Sequence, residues 1–433
     1  MRDRRTLLHA VSSGSRPFVG LVVLTATLLA TVAFARVLAP TFKAHGAAAR
    51  SAQLTEHPPP AAASVAPRLE EDLRVSLGRK LFFDRSLSEP AGTSCASCHD
   101  PRQGYAGNNG STLGTAQGSR PGHFARRNTP SVMYLRFVRK PHLVWEEDAD
   151  RPELFGGFFW DGRASTIAAL VREPLLNPDE MGNRDLREVA RKIESAAYAK
   201  QLEREFDHVF ASDDETLEAI SLCIEAFLTS RSMSPFSSKY DDFIRGSASL
   251  SAVELRGLAL FEDLDKGACS TCHRIDRQSG LPEASMFTDY GYDVVAVPRN
   301  RKLPGNADTH YFDLGVCDRS DRRFHTEDPW FCGAFRTPSL RNVALRTSFM
   351  HNGVFTTLRD VVSFYATRAT TSERWYPTES FDDLPAVYRA NVNVDLPPYN
   401  QVKRERPRLE DADLDAILAF LATLSDRSVP PAP

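Results

Sequence analysis

Neither sign of charge is in surplus: 53 Lys and Arg stand against 56 Asp and Glu, a net of −3. Nothing here suggests a nucleic-acid partner, which would call for a basic excess. Gly and Pro, 24 and 28 of 433 residues, are too few for a low-complexity chain. Hydrophobic content of 42% and charged content of 25% are ordinary globular values, and the length allows two or three domains with real cores. Charge is missing altogether from Phe18–Ala35, FVGLVVLTATLLATVAFA, which follows Arg2, Arg4, Arg5 and Arg16 and ends in small residues at Ala33–Ala35. That is the pattern of a secretory signal, although 18 apolar residues are also just enough to span a bilayer. Cleaved signal and retained anchor both stay open for residues 1–35, and both export the rest. Residues 36–67, with PPPAAASVAP at their centre, read as a disordered Pro/Ala tether. Folded protein is expected from near Pro67.

Cysteine is scarce, seven in all, and four of the seven lie in two C-x-x-C-H motifs. The windows around them repeat. LGRKLFFDRSLSEPAGTSCASCHD (77–100) and LRGLALFEDLDKGACSTCHRI (255–275) each place a helix ending in Leu-Phe ahead of a short polar loop and the motif. Leu73, Leu77 and Leu81 mark the apolar face of the first helix; Val253, Leu258 and Phe261 mark that of the second. C-x-x-C-H attaches c-type haem, and the α/β pattern of a thioredoxin-like dithiol is absent. Two copies in an exported chain point to a duplicated cytochrome c-like domain. The expectation is an all-α fold with domains at 68–245 and 246–433. Each carries one covalent haem, on Cys95, Cys98 and His99 and on Cys269, Cys272 and His273, with the histidines as proximal ligands. Cys317 and Cys332 bracket a charged loop and suit a disulfide in an oxidising compartment. Closing about 15 residues, it would contribute roughly 3 kcal/mol in the chain-entropy model. Cys223, in the apolar run LEAISLCIEAFL, reads as a buried thiol.

Further motifs lie between and beyond the haem sites: RRNTPSVMY (126–134), FFWDGRASTIAALVREPLLNPDEMGN (158–183) and FRTPSLRNVALRTSFMHNGVFTTLRDVVSFY (335–365). In order and spacing they resemble the di-haem bacterial cytochrome c peroxidases, and within them the MauG-like branch, over roughly Arg68 to the helix EDADLDAILAFLATL. The resemblance implies hydrogen peroxide as oxidant and a calcium ion near the domain interface. It makes Glu180 of NPDEM the group that moves a proton between the peroxide oxygens, a task peroxide reduction at an open haem demands. On loop position alone Glu180 would be an exposed carboxylate. Trp160 of WDGRA is placed between the haems as a relay, though a Trp beside Phe158 and Phe159 also reads as plain core. Pro174 falls on the distal-pocket pattern. Leu170 stands where the family commonly has Gln, which makes the pocket more apolar. Asn128 matches the family's calcium asparagine, with the main-chain carbonyls of Arg346 and Ser348 as its companions, an oxygen-only set; otherwise it caps a turn before Thr129-Pro130.

Ordinary members close the second haem with Met. Here that place, fourteen residues beyond His351, is Tyr365, on a helix opening after a Thr N-cap. Leu358, Val361 and Tyr365 share a face, so Tyr365 also reads as core, and Met350 is a rival ligand. A phenolate stabilises oxidised iron where a thioether raises the potential. The resemblance then implies oxidising equivalents, as high-valent iron, shared over both haems without prior reduction. At the first haem the family's distal His position is Arg120, and the nearby His123 and His142 are the alternatives to an open site. The expected activity is an exported, periplasmic peroxidase, soluble or tethered to the inner membrane. It would oxidise a small redox protein (cytochrome c or copper protein) or an aromatic side chain of a partner protein. The competing class is a di-haem electron-transfer cytochrome without turnover, which a purely low-spin resting spectrum would mark.

Overall fold

Glycine inside a helix usually weakens it, yet each repeated helix carries one. The computed structural model describes residues 65–145, 150–320, 324 and 327–428, with backbone only for 65–72. The expected signal or anchor and nearly all of the tether lie outside these residues. The helices that matter below are α1 (Val65–Phe83), α2 (Ile167–Leu176), α3 (Leu186–Glu194), α4 (Asp213–Thr229), α5 (Ala252–Glu262), α6 (Leu358–Thr367) and α7 (Asp411–Ala422). α1 packs on α4 and α5 on α7, and both crossings have the same construction. A Cβ on Gly78 would lie 1.8 Å from the Cys223 carbonyl oxygen, and one on Gly257 would lie 1.9 Å from that of Ala416. Four residues further along, Phe82 meets Phe227 at 5.5 Å between ring centroids and Phe261 meets Phe420 at 5.3 Å. The glycines let the backbones touch, and the aromatic pairs fill the wedge beside them.

Gly78→Ala and Gly257→Ala should therefore each destabilise the protein by about 1–3 kcal/mol through overpacking. Alanine's helix preference of about 1 kcal/mol would act in the opposite direction. Denaturant unfolding of each variant checks the sign. A variant as stable as the parent would show that these helices separate at no cost.

Each pair anchors its own core. Leu77, Leu81, Ile193, Ile220 and Phe227 belong to the first, and Leu258, Phe261, Phe364, Ile417 and Phe420 to the second. A smaller apolar cluster with Leu154, Val316 and Phe331 surrounds the Cys317–Cys332 disulfide. Helix starts follow capping chemistry: Ser251 and Glu254 form a capping box on α5, and the Thr357 side chain accepts from the Asp360 N–H on α6. Among the described residues strand is confined to two antiparallel pairs, β1 (His142–Val144) with β2 (Glu153–Phe155) and β3 (Tyr292–Asp293) with β4 (Phe335–Arg336). The fold is mainly helical, and among the described residues no helix is long and apolar enough to cross a membrane.

Three sequence expectations change. α1 starts at Val65, slightly before Pro67. Val253 is 47% exposed, because α5 turns Leu258 and Phe261 inward and leaves its first turn in solvent. His142, which the run Pro141-His142-Leu143 reads as loop, sits in a short strand.

Candidate active site

Both C-x-x-C-H motifs form tight turns that present a histidine to a cavity. His99 N–H bonds to Cys95 O (2.8 Å), and His273 N–H to Cys269 O (2.9 Å). The ring Nδ1 of His99 donates to Tyr105 O (3.2 Å) and that of His273 to Phe287 O (2.9 Å). Burial lowers His99 to about 4 and holds His273 below its ordinary value. Each is thus a neutral imidazole with Nδ1–H anchored on a carbonyl, which leaves the Nε2 lone pair for a metal. Burial pushes the thiols of Cys95, Cys98, Cys269 and Cys272 up to about 12. A redox-active dithiol needs the opposite shift, so these cysteines suit thioether attachment. Paired thiols, an oriented neutral imidazole and a largely apolar cavity fit a haem at each site.

The first cavity, about 670 Å³, is lined by Cys95, Cys98, His99, Leu170, Pro174 and Glu180, among others. Glu180 comes in on a turn that the sequence builds locally. Asn177 ends α2, its Oδ1 accepts from the Asp179 N–H (3.0 Å), and its Nδ2 donates to Glu180 Oε1 (2.7 Å). The Met181 N–H returns to Pro174 O (3.1 Å), and the Ser119 N–H bonds to Glu180 O (2.6 Å). Burial pushes the Glu180 carboxyl above its ordinary value, while Arg163 and the Asn177 hydrogen bond oppose the shift. A carboxyl held by one oxygen in an apolar cavity, with its pKa raised, is equipped to exchange a proton there.

Trp160 lines both cavities. It lies in a strained loop: Phe159 has φ +64°, flanked by Gly157 at +81° and Gly162 at +68°, and the Phe158 N–H closes the loop on Ala164 O (2.8 Å). The Arg163 guanidinium covers the Phe159 ring at 3.7 Å and bonds to Asp161. The indole Nε1–H of Trp160 donates to Asn128 O (2.7 Å), and Arg127 joins Asp161 (2.6 Å), so RNTPS and WDGRA are bolted together. The Asn128 N–H in turn bonds to His351 O of MHNG (2.7 Å).

The second cavity, about 180 Å³, is lined by Cys269, Cys272, His273, Met350, Tyr365 and Tyr399, among others. Leu358, Val361 and Tyr365, the face read from the sequence, all point into it. Burial is the main cause that raises the Tyr365 phenol well above its ordinary range; Cys272 and Asp293 add to it, and a hydrogen bond from Tyr399 opposes it. A phenolate here requires a positive charge at the cavity centre. Met350 also faces this space. His123 does not reach the first cavity: its Nδ1 pairs with Asp179 (3.0 Å) and its side chain is 44% exposed. Arg120 reaches Gly182 O instead (2.8 Å). His142 is exposed and turned to Lys140 O.

The trio of Asn128, Arg346 and Ser348 is not assembled as a ring of oxygens. Asn128 Nδ2 donates to Ser348 O and Met350 O (3.1 Å each), and its Oδ1 accepts from Ser348 Oγ (2.9 Å). As arranged, the carboxamide turns its N–H groups to the carbonyls and not its oxygen, so these groups do not present an oxygen set to calcium. Asp313, by contrast, is brought in from outside every motif. It takes the Arg127 fork at 2.7 Å twice and, like Trp160, borders both cavities.

The comparisons with known proteins agree with this geometry. Residues 72–249 match the family model described as di-haem cytochrome c peroxidase. The chain is 34% identical to the methylamine utilization protein MauG of Paracoccus denitrificans over 84% of this chain and 91% of that one. It is 28% identical to the cytochrome-c peroxidase IdrP2 of Pseudomonas sp. strain SCT over 67% of this chain and 72% of that one. The crystal structure of the diheme peroxidase BthA from Burkholderia thailandensis superposes with a TM-score of 0.78 at 45% identity, covering 83% of this chain and 88% of that one. With a C-x-x-C-H histidine in each of two cavities and relatives of this kind along most of its length, the chain belongs to the di-haem cytochrome c peroxidase family and is a haem peroxidase.

Proposed function

We propose that the protein reduces hydrogen peroxide in the cavity of His99 and Glu180 and draws electrons from a partner through the site of His273 and Tyr365. One haem c would be held by Cys95, Cys98 and His99 in a domain spanning 68–245, and another by Cys269, Cys272 and His273 in one spanning 246–433. Bound haem iron would supply the two-electron reduction of peroxide. Everything else falls to the chain. Glu180 takes the proton from one peroxide oxygen and returns it to the other, which leaves as water. Leu170 and Pro174 keep the space beside it apolar, so that a proton is exchanged with Glu180 rather than with bulk water. Ser119 and Arg120 tie their loop to Glu180 and Gly182 and so brace the turn that carries Glu180. The observation that carries this reading is Trp160, which borders both cavities and gives oxidising equivalents a short route between them.

The electron source in this reading is a small redox protein, a cytochrome c or a copper protein, or an aromatic side chain of a protein substrate. The setting is the periplasm. Adding peroxide to the as-isolated protein and following both haem spectra tests the whole reading; a purely low-spin protein inert to peroxide would leave only electron transfer.

Tyr365 would close the second haem as an anionic ligand, which favours oxidised iron. Tyr365→Phe should open that site, abolish its low-spin signature and raise its midpoint potential. An unchanged low-spin spectrum would remove Tyr365 from the coordination sphere and leave Met350 as the residue to replace next.

A further inference from the structure

Arg346 is a half-buried cation with no carboxylate paired to it among the described residues. Its Nη2 donates to Thr129 O (3.1 Å), while its Nε is buried with no hydrogen-bond partner. Arg341 pairs with Asp241, Arg127 with Asp161 and Asp313, and Arg299 with Asp383, while Arg368 is held by the carbonyls of Val295 and Asn393. A guanidinium stays protonated at neutral pH, and a charge drawn partly out of water without a partner is costly. Its position explains why the sequence keeps it. It lines the cavity of His273, and its Nη2 donor reaches the carbonyl of Thr129, on the wall of the other.

We propose that Arg346 is the fixed cation shared by the two haem sites. Its free N–H groups hold a propionate carboxylate of a bound haem, and its charge takes the place of the family's calcium beside Asn128. A planar fork of donors suits a carboxylate, and every haem c carries two. The chemistry beside Asn128 is consistent with this. The Asn128 carboxamide already bridges Ser348 and Met350 by donating to them. Turning it over to offer Oδ1 to a metal would set three oxygens together, next to a charge that repels the metal.

The inference rests on the two-haem reading, and the test keeps the two apart. The holoprotein, Arg346→Met and Arg346→Lys are assayed for haem per chain by the pyridine method. Each is then titrated spectroelectrochemically with and without EGTA. Loss of a nearby positive charge favours oxidised iron, so Arg346→Met should lower the potentials of both haems. The expected size is roughly tenfold in each reduction equilibrium, about 59 mV for one electron. Arg346→Lys should keep most of the parent values, and EGTA should change nothing. Fewer than two haems in the parent chain refutes the two-haem reading itself. Two haems with unchanged potentials in Arg346→Met, or a shift at one haem only, overturns the shared role. A parent potential that falls with EGTA returns the charge to calcium. If Arg346→Met fails to take up haem, Arg346→Lys decides: potentials near the parent support the proposal, and a fall as large as that expected for full loss of charge overturns it.

Discussion

Glu180→Gln should slow peroxide consumption by ~10²–10⁴-fold, the usual contribution of a positioned acid–base group, while both haem sites keep their resting spectra. Glutamine fills the same volume and can still take the Asn177 Nδ2–H bond through its amide oxygen. The turn closed by Asn177, Pro174 and Ser119 should therefore persist, and the loss would be chemical. The pH profile separates this from a packing effect. Burial sets the Glu180 carboxyl above its ordinary value, against the pull of Arg163 and Asn177. A base must be ionised before it can take the peroxide proton. Parent activity should therefore fall as pH drops through that raised pKa, at a higher pH than an ordinary glutamate at about 4.3 would give. The residual activity of Glu180→Gln should lack this acid limb. Parent-like turnover in the variant would exclude Glu180 from the reaction.

Residues whose role is set by local chemistry were legible in the sequence. C-x-x-C-H needs its spacing to attach a haem, and Thr357 starts α6 with its own side chain. Leu358, Val361 and Tyr365 could be placed on one face because helical spacing alone puts them there. Residues whose role depends on approach between distant segments were not. Gly78 and Gly257 look like weak points in their helices until Cys223 and Ala416 are seen against them. Asp313 sits in no motif and matters because the fold delivers it to Arg127, 186 positions away. His123 was a fair candidate by distance along the chain, yet its loop turns it outward to Asp179. Arg346 was read for its carbonyl, while the structure draws attention to its side chain. The wider resemblance located the motifs; only the fold shows that Trp160 borders two cavities at once.

That position leads to the other large expected effect. Trp160→Phe should leave the first haem's reaction with peroxide nearly intact and slow, or abolish, the spectral change at the second. Phenylalanine keeps an aromatic ring at a site only 7% exposed. What it removes is the indole and its hydrogen bond to Asn128 O, worth about 0.5–1.5 kcal/mol to stability. Neither loss touches Glu180, His99 or the Asn177 turn, so proton handling in the first cavity continues. The route to the second site is what suffers, since the residue bordering both cavities loses its most easily oxidised group. A barrier only ~1.4 kcal/mol higher already slows the transfer tenfold. Stopped-flow spectra of the diferric protein, without reductant, resolve the two events. In the parent, both haems should respond to peroxide, because the phenolate proposed at the second site would make activation by prior reduction unfavourable. In Trp160→Phe the two responses should separate in time by at least about tenfold. If the second haem changes as fast in the variant as in the parent, the equivalents travel by another path, and Asp313 with Arg127, the other contact common to both cavities, becomes the place to look. If the parent stays inert until one electron is supplied, the protein works as the reductively activated members of its family do.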